Sequence, residues 1–335
     1  MLSIRELRDR AVIRPIKRAV EDQLLDLPGV TGVDIGEKHR AGRRTGQQVI
    51  VVSVVRKRPS DDLPSEVRIP DDVLGIPTDV VEEHPVLQHI HCDTRDPLPP
   101  RQRRGDRSGM VCGGSGISPC RGVRLAPPDV PVAGEYRRVG TLGMLVTGNA
   151  PAVVTMGLTT FDVACLDDAW SVGDRMAEPG QERVQADLAR AALSGRVDAA
   201  AVTIATGLEA SCLVDGFGPV TGAGTAYPGE RVHKSGFGTG LTSGVVTSTD
   251  ATLRIDHGEA LGVRVLREQI RIAASDVRFC GPGDAGAAVL DADGRVVGLH
   301  VAGARDGAVG FASPIGDVLT ELDVELCAEP QRIRV

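Results

Sequence analysis

Within HPVLQHIHCD, His84, His89, His91 and Cys92 are all residue types that can hold a metal. On an extended segment alternate residues share a face, so His89 and His91 point the same way and Cys92 can turn inward. Cys112 or Cys120 of VCGGSGISPC would then complete a set of zinc ligands. The spacing matches no finger pattern, and the plainer reading is a polar connecting segment whose thiols pack or stay free. The glycine-rich GFGPVTGAG and GFGTG lack the preceding strand, the following helix and the Lys-Ser/Thr pair that a phosphate loop needs, so they read as turns. Asp291-Ala292-Asp293-Gly294 has no downstream acidic ligands for calcium; it reads as a hairpin turn in which Gly294 supplies the positive φ.

These residues must be positioned by a chain of 335 residues, 41% hydrophobic and 25% charged, which excludes a disordered protein. Only 2% is aromatic, against 41 Gly and 21 Pro, so the core must be built of Val, Leu, Ile and Ala along a path rich in turns. Short strands joined by glycine turns fit that better than a helical bundle. A net charge of −7 argues against a nucleic-acid binder. No apolar stretch has the length of a membrane span, and the charged N-terminus has no signal-peptide core. With seven scattered cysteines and no signal, reduced buried thiols and a cytoplasmic location are expected.

Ser3 and Glu6 have capping-box spacing, and Ile4, Leu7 and Ala11 follow with helical period. Pro15 is expected to interrupt that helix, with a second one through Ile16, Ala19, Val20 and Leu24. After Pro28-Gly29 the pattern predicts a strand at 30–35, a turn at 41–46, the strand QVIVVSVVRKR and a short strand near 77–81, together a small α+β domain over residues 1–83. From 84 to 135 the periodicity collapses into a Pro- and Arg-rich connecting segment. Its RQRRG run reads as solvated linker, since no aromatic residues interleave. Residues 136–328 read as short strands at turn-punctuated spacing. ADLARAALSG stays open between helix and strand, and SPIGDVLTELDVEL is an amphipathic helix with Ile315, Val318, Leu319 and Leu322 on one face.

FCGPGDAGAAVLDADGRVVGLHVAG (279–303) resembles the nucleophile loop of trypsin-like serine peptidases, where G-D-S-G precedes a strand, a tight turn and a strand ending in Gly. VGTLGMLVTG (139–148) looks like the opening of the first barrel of that fold. RVDAAAV (196–202) resembles the segment carrying the triad Asp, here Asp198, and GERVHKSGFGTGLTSGVV (229–246) resembles the opening of the second barrel. ASPIGDVLTEL is similar to the family's terminal helix, and LPGVTGVDIG with IPDDVLGIPTDVVE to the small N-terminal domain of its bacterial members. The resemblance runs from about Leu25 to Leu326. It implies a mainly β fold: a trypsin-like double β-barrel with a C-terminal helix after a small α+β domain.

The same resemblance places the nucleophile at Ala285, inside a vestigial oxyanion loop of Gly283 and Asp284, and the triad histidine at Leu158. Of the triad only Asp198 is kept, and a methyl group cannot attack a carbonyl. His300 and Gly303, on the strand that would line the specificity pocket, are candidate binding residues. Thr159, Thr160 and Cys280 are the nearest replacement nucleophiles, Cys280 reading rather as a small hydrophobe. The expectation is a catalytically inactive pseudopeptidase without a cofactor, serving as a protein-binding or assembly module for a protein, a peptide or another copy of itself. The alternatives are an active hydrolase with a non-standard or engineered-out nucleophile, and a metal module on His89, His91 and Cys92.

Overall fold

A computed structural model of the chain describes residues 3–40, 43–59, 62, 64–96, 110–148, 154–180, 183–327 and 332–334. Its first helix, Ile4–Leu25, starts at the capping box: Ser3 Oγ accepts from the Glu6 N–H, and the Ser3 N–H donates to Glu6 Oε2 at 2.7 Å. Contrary to the expected break, the helix runs through Pro15. Ile13, Val20 and Leu24 lie on one stripe of it and bury against Val33, Ile35, Ile50 and Val52. That packing offsets the missing backbone hydrogen bond.

Val30–Arg40 and Arg43–Val54 form the antiparallel hairpin beneath the helix, with Ile35 opposite Ile50, and Ile76–Glu82 adds parallel to its second strand. This N-terminal sheet does not end at the hairpin. Gly32 and Val33 pair antiparallel with Leu253 and Thr252 of the long strand Gly240–Asp256, so it is continuous with the C-terminal half of the chain. Residue 32 is glycine because a Cβ there would stand 2.9 Å from the Thr252 carbonyl oxygen. Between helix and strand, buried Lys17 pairs with Glu21 at 2.5 Å, and Thr252 Oγ1 donates to the same carboxylate at 2.8 Å.

The rest is the expected double β-barrel. Arg231–Gly236, Gly240–Asp256, Val263–Ala274, Val309–Pro314, Arg295–Gly303 and Ala288–Leu290 pair in sequence around a closed second barrel, the last strand returning to the first. In the first barrel Met144–Gly148, Val154–Thr159, Asp198–Ile204, Val184–Leu193, Arg175–Ala177, Ser115–Pro119 and Gly134–Leu142 are successive neighbours. ADLARAALSG (186–195), open between helix and strand in the sequence, therefore lies mostly in a strand, which ends at Leu193. The C-terminal helix covers Ile315–Glu321, shorter than its apolar pattern, because Val324–Leu326 turns back to pair with Met144–Gly148.

The region read as a connecting segment is only partly one. Ser115–Pro119 is a barrel strand buried along its whole length, so no in-out alternation marks it. Val86–Leu87 and Ile90–Asp93 pair with the second and first barrels respectively. The RQRRG run lies outside the described residues. The thiols are also not all reduced: Cys212 and Cys327, 115 residues apart, form a disulfide. No helix among the described residues is long and apolar enough to cross a membrane.

Glu21→Ala leaves the Lys17 ammonium buried without its carboxylate and is expected to cost about 3–5 kcal/mol in denaturant unfolding. Lys17→Met should cost less, since Glu21 keeps Thr252 and Arg267. Equal losses would contradict that ranking.

Candidate functional site

The loop Gly283-Asp284-Ala285-Gly286 is shaped by one carboxylate. Asp284 is fully buried; its Oδ2 meets Lys234 Nζ at 2.7 Å, Thr239 Oγ1 at 2.6 Å and the Gly281 N–H at 2.9 Å. Its Oδ1 accepts from the N–H groups of Gly238 and Thr239. Lys234 is itself fully buried, so the pair is held dry and rigid. With Gly283 at φ +93°, the loop turns the N–H groups of residues 283 and 285 to one side. Both donate to one acceptor, the carbonyl oxygen of Gln88, at 2.6 and 3.2 Å. Two N–H groups converging on one oxygen are an arrangement able to stabilise an oxyanion, and here the oxygen they hold belongs to the chain's own backbone.

Gln88 arrives there on a short strand. Leu87 pairs antiparallel with Ala302 and Val86 with Gly303, on the strand that also carries His300. Gln88 is 2% exposed, and its Nε2 lies 3.4 Å from both the Gly303 and the Val86 carbonyl oxygens. Gly303 thus does meet a peptide, one from its own chain. His300 is fully buried beside Phe279, its pKa pushed down to about 3 by burial and then by the Lys234 charge. Cys280 is buried as well, and desolvation pushes its thiol up to about 12, which keeps it protonated and inert.

Past Gln88 the segment crosses to the first barrel and enters a buried polar cluster. His89 Nδ1 lies 2.6 Å from Asp162 Oδ2, and Arg138 Nη1 donates to Asp162 Oδ1 at 2.7 Å. His89 Nε2 faces His91 Nε2 at 3.0 Å. Asp162 sits on the short helix Phe161–Cys165, and its N–H donates to Asp198 Oδ1 at 3.3 Å. On the other side His257 Nε2 approaches Asp198 Oδ2 at 3.8 Å. Burial, and then the Asp162 charge, push the Asp198 carboxyl up to about 8. Burial acts the same way on Asp162, yet His89 and Arg138 together hold it well below the usual carboxylate range.

The group poised over Asp198 is therefore Asp162. Leu158 lies in the strand Val154–Thr159, opposite Met144 and Ala201, and packs into the apolar core. Thr160 is the signal that separates the two: its hydroxyl caps the helix that begins at Phe161, so a residue just beyond the strand falls on that helix. Asp162, Arg138, His257 and Gln88 were not singled out from sequence. Of the three candidate metal ligands, His89 and His91 come together, but the Cys92 thiol turns to the Asp93 carbonyl oxygen at 3.7 Å. Among the described residues no three His, Cys, Asp or Glu side chains are grouped to hold a metal.

No family model matches the chain, and no curated protein does. Solved structures do. Protease A of Thermobifida fusca is 22% identical, with 66% of this chain and 100% of the other covered and a TM-score of 0.47. The chymotrypsin of Cellulomonas bogoriensis is 20% identical over 66% and 100% of the chains, with a TM-score of 0.45. The Nocardiopsis protease is 19% identical over 65% and 98%, with a TM-score of 0.47. The likeness is one of fold.

The buried carboxyl makes a pH prediction. The contribution of protonated Asp198 is complete below the ordinary value of 3.8 and is lost as pH rises through about 8. His91, pushed down to about 4 by burial and then by His89, gives the opposite slope, but only below 6.5. Between pH 6.5 and 8 the melting temperature should therefore fall with rising pH, and Asp198→Asn should flatten that slope. A slope unchanged in the variant would contradict the assignment.

Proposed function

We propose that the chain is a catalytically inactive, trypsin-like protein that works as a protein-binding or structural module. The observation that carries this is Ala285 at the position where the loop would present a nucleophile, with both oxyanion-type donors already given to Gln88. A peptidase also needs a base within hydrogen-bond reach of that nucleophile. Here the residue over Asp198 is Asp162, a carboxylate tied to Arg138 and His89. An oxyanion donor pair without nucleophile and base supplies only residual rate.

The partner class is a protein or peptide, or another copy of the chain. The strand edge that would take an extended peptide is occupied by Val86–Leu87, so a partner entering the cleft has to displace that segment. Cytoplasmic residence, expected from the sequence, is the part of this proposal against which the Cys212–Cys327 bond weighs, because disulfides persist in oxidising compartments.

Purified protein should neither turn over unfolded casein nor be labelled by a fluorophosphonate serine probe. Turnover that co-purifies with the protein and disappears in Asp198→Asn would overturn the inactive assignment and favour an active hydrolase. Thiol titration of unfolded, unreduced protein should find the five unlinked cysteines; a count of all seven would mean the disulfide does not form in the native compartment.

A further inference from the structure

We propose that the peptide bond between Gln88 and His89 is a latent self-cleavage site, held in the cleft as a substrate would be and spared because the chain lacks a hydroxyl at position 285 and an imidazole at position 162. This rests on the inactive assignment of the same site. Three features fix the register. Val86 and Leu87 pair antiparallel with Gly303 and Ala302. The Gln88 carbonyl oxygen takes both loop N–H groups, at 2.6 and 3.2 Å. The Gln88 amide side chain is buried against Gly303.

The hydrogen bond from the Ala285 N–H itself brings the Gln88 carbonyl within reach of a hydroxyl on that residue. Beyond the bond, His89 crosses to the helix bearing Asp162, with which its ring makes the 2.6 Å contact. The bond thus bridges the two places, one on each barrel, where nucleophile and base belong.

With both groups supplied, the chemistry balances. The serine Oγ adds to the Gln88 carbonyl carbon as its proton passes to the imidazole. The C–N bond to His89 then breaks, and that proton goes to the new His89 amine. Water hydrolyses the remaining ester and leaves a free carboxylate on Gln88.

The test is Asp162→His with Ala285→Ser in the full chain, read by intact mass. Loss of the whole chain, with appearance of fragments 1–88 and 89–335 that stay together in gel filtration and part on unfolding, is the expected result. A folded double variant that stays whole overturns the proposal whether or not a fluorophosphonate probe labels it, and so does cutting at another bond. Because Asp162→His removes the carboxylate of buried Arg138 and can cost the fold, a second measurement on the unaltered chain reads the seating alone. Thermolysin should spare residues 84–93 while the barrels stay folded, since Val86 and Leu87 are paired and the Gln88 carbonyl is bound. Cutting there in the folded chain would overturn the proposal. Casein turnover by the unaltered chain would instead sink the inactive assignment, so the two failures are distinguishable.

Discussion

The Gln88 carbonyl oxygen accepts from two N–H groups of a loop that buried Asp284 holds in shape between them, and residues of both barrels contact that loop. Asp284 gathers donors from Lys234, Gly238, Thr239 and Gly281, a set that only a dry, fully paired site makes stable. Thr141 on the first barrel reinforces the loop: its N–H donates to the Ala285 carbonyl oxygen at 2.7 Å and its hydroxyl to that of Gly283. The loop is thereby held from both barrels. A preorganised donor pair of this kind can stabilise developing negative charge, and here it clamps a peptide carbonyl of the same chain.

The clamp also explains the electrostatics of the first barrel. His89 follows Gln88 directly, so seating one carbonyl delivers an imidazole to Asp162. With Arg138 it lets Asp162 stay ionised in a place where burial alone would neutralise it. Asp198, lacking such a cation in contact, has burial and Asp162 against it and keeps its proton. The two carboxyl groups are driven apart in acidity by what each one touches.

Much of this fold was legible in the sequence because local signals carried it. Ser3 and Glu6 marked a helix start, glycine turns marked the barrel strands, and Gly283-Asp284-Ala285-Gly286 marked the loop. Where meaning depended on distant residues, the sequence was silent. Pro15 reads as a break until the hairpin packs on the helix. Residues 86–88 look like linker because their partners, Gly283, Ala285, Ala302 and Gly303, lie some two hundred residues away. Leu158 and Asp162 are four residues apart, and only the cap at Thr160 tells which one follows the strand. The low aromatic content has its counterpart in barrels filled by Val, Leu, Ile and Ala, with Phe279 and Phe311 among the few rings that are fully buried.

Residue-level amide hydrogen exchange on the unaltered chain tests the central claim most directly. If the Gln88 carbonyl is bound as described, the N–H groups of Gly283 and Ala285 exchange as slowly as those of the barrel strands around them. Rapid exchange at both, with the barrel strands still protected, would mean that the cleft stands open and would contradict the account.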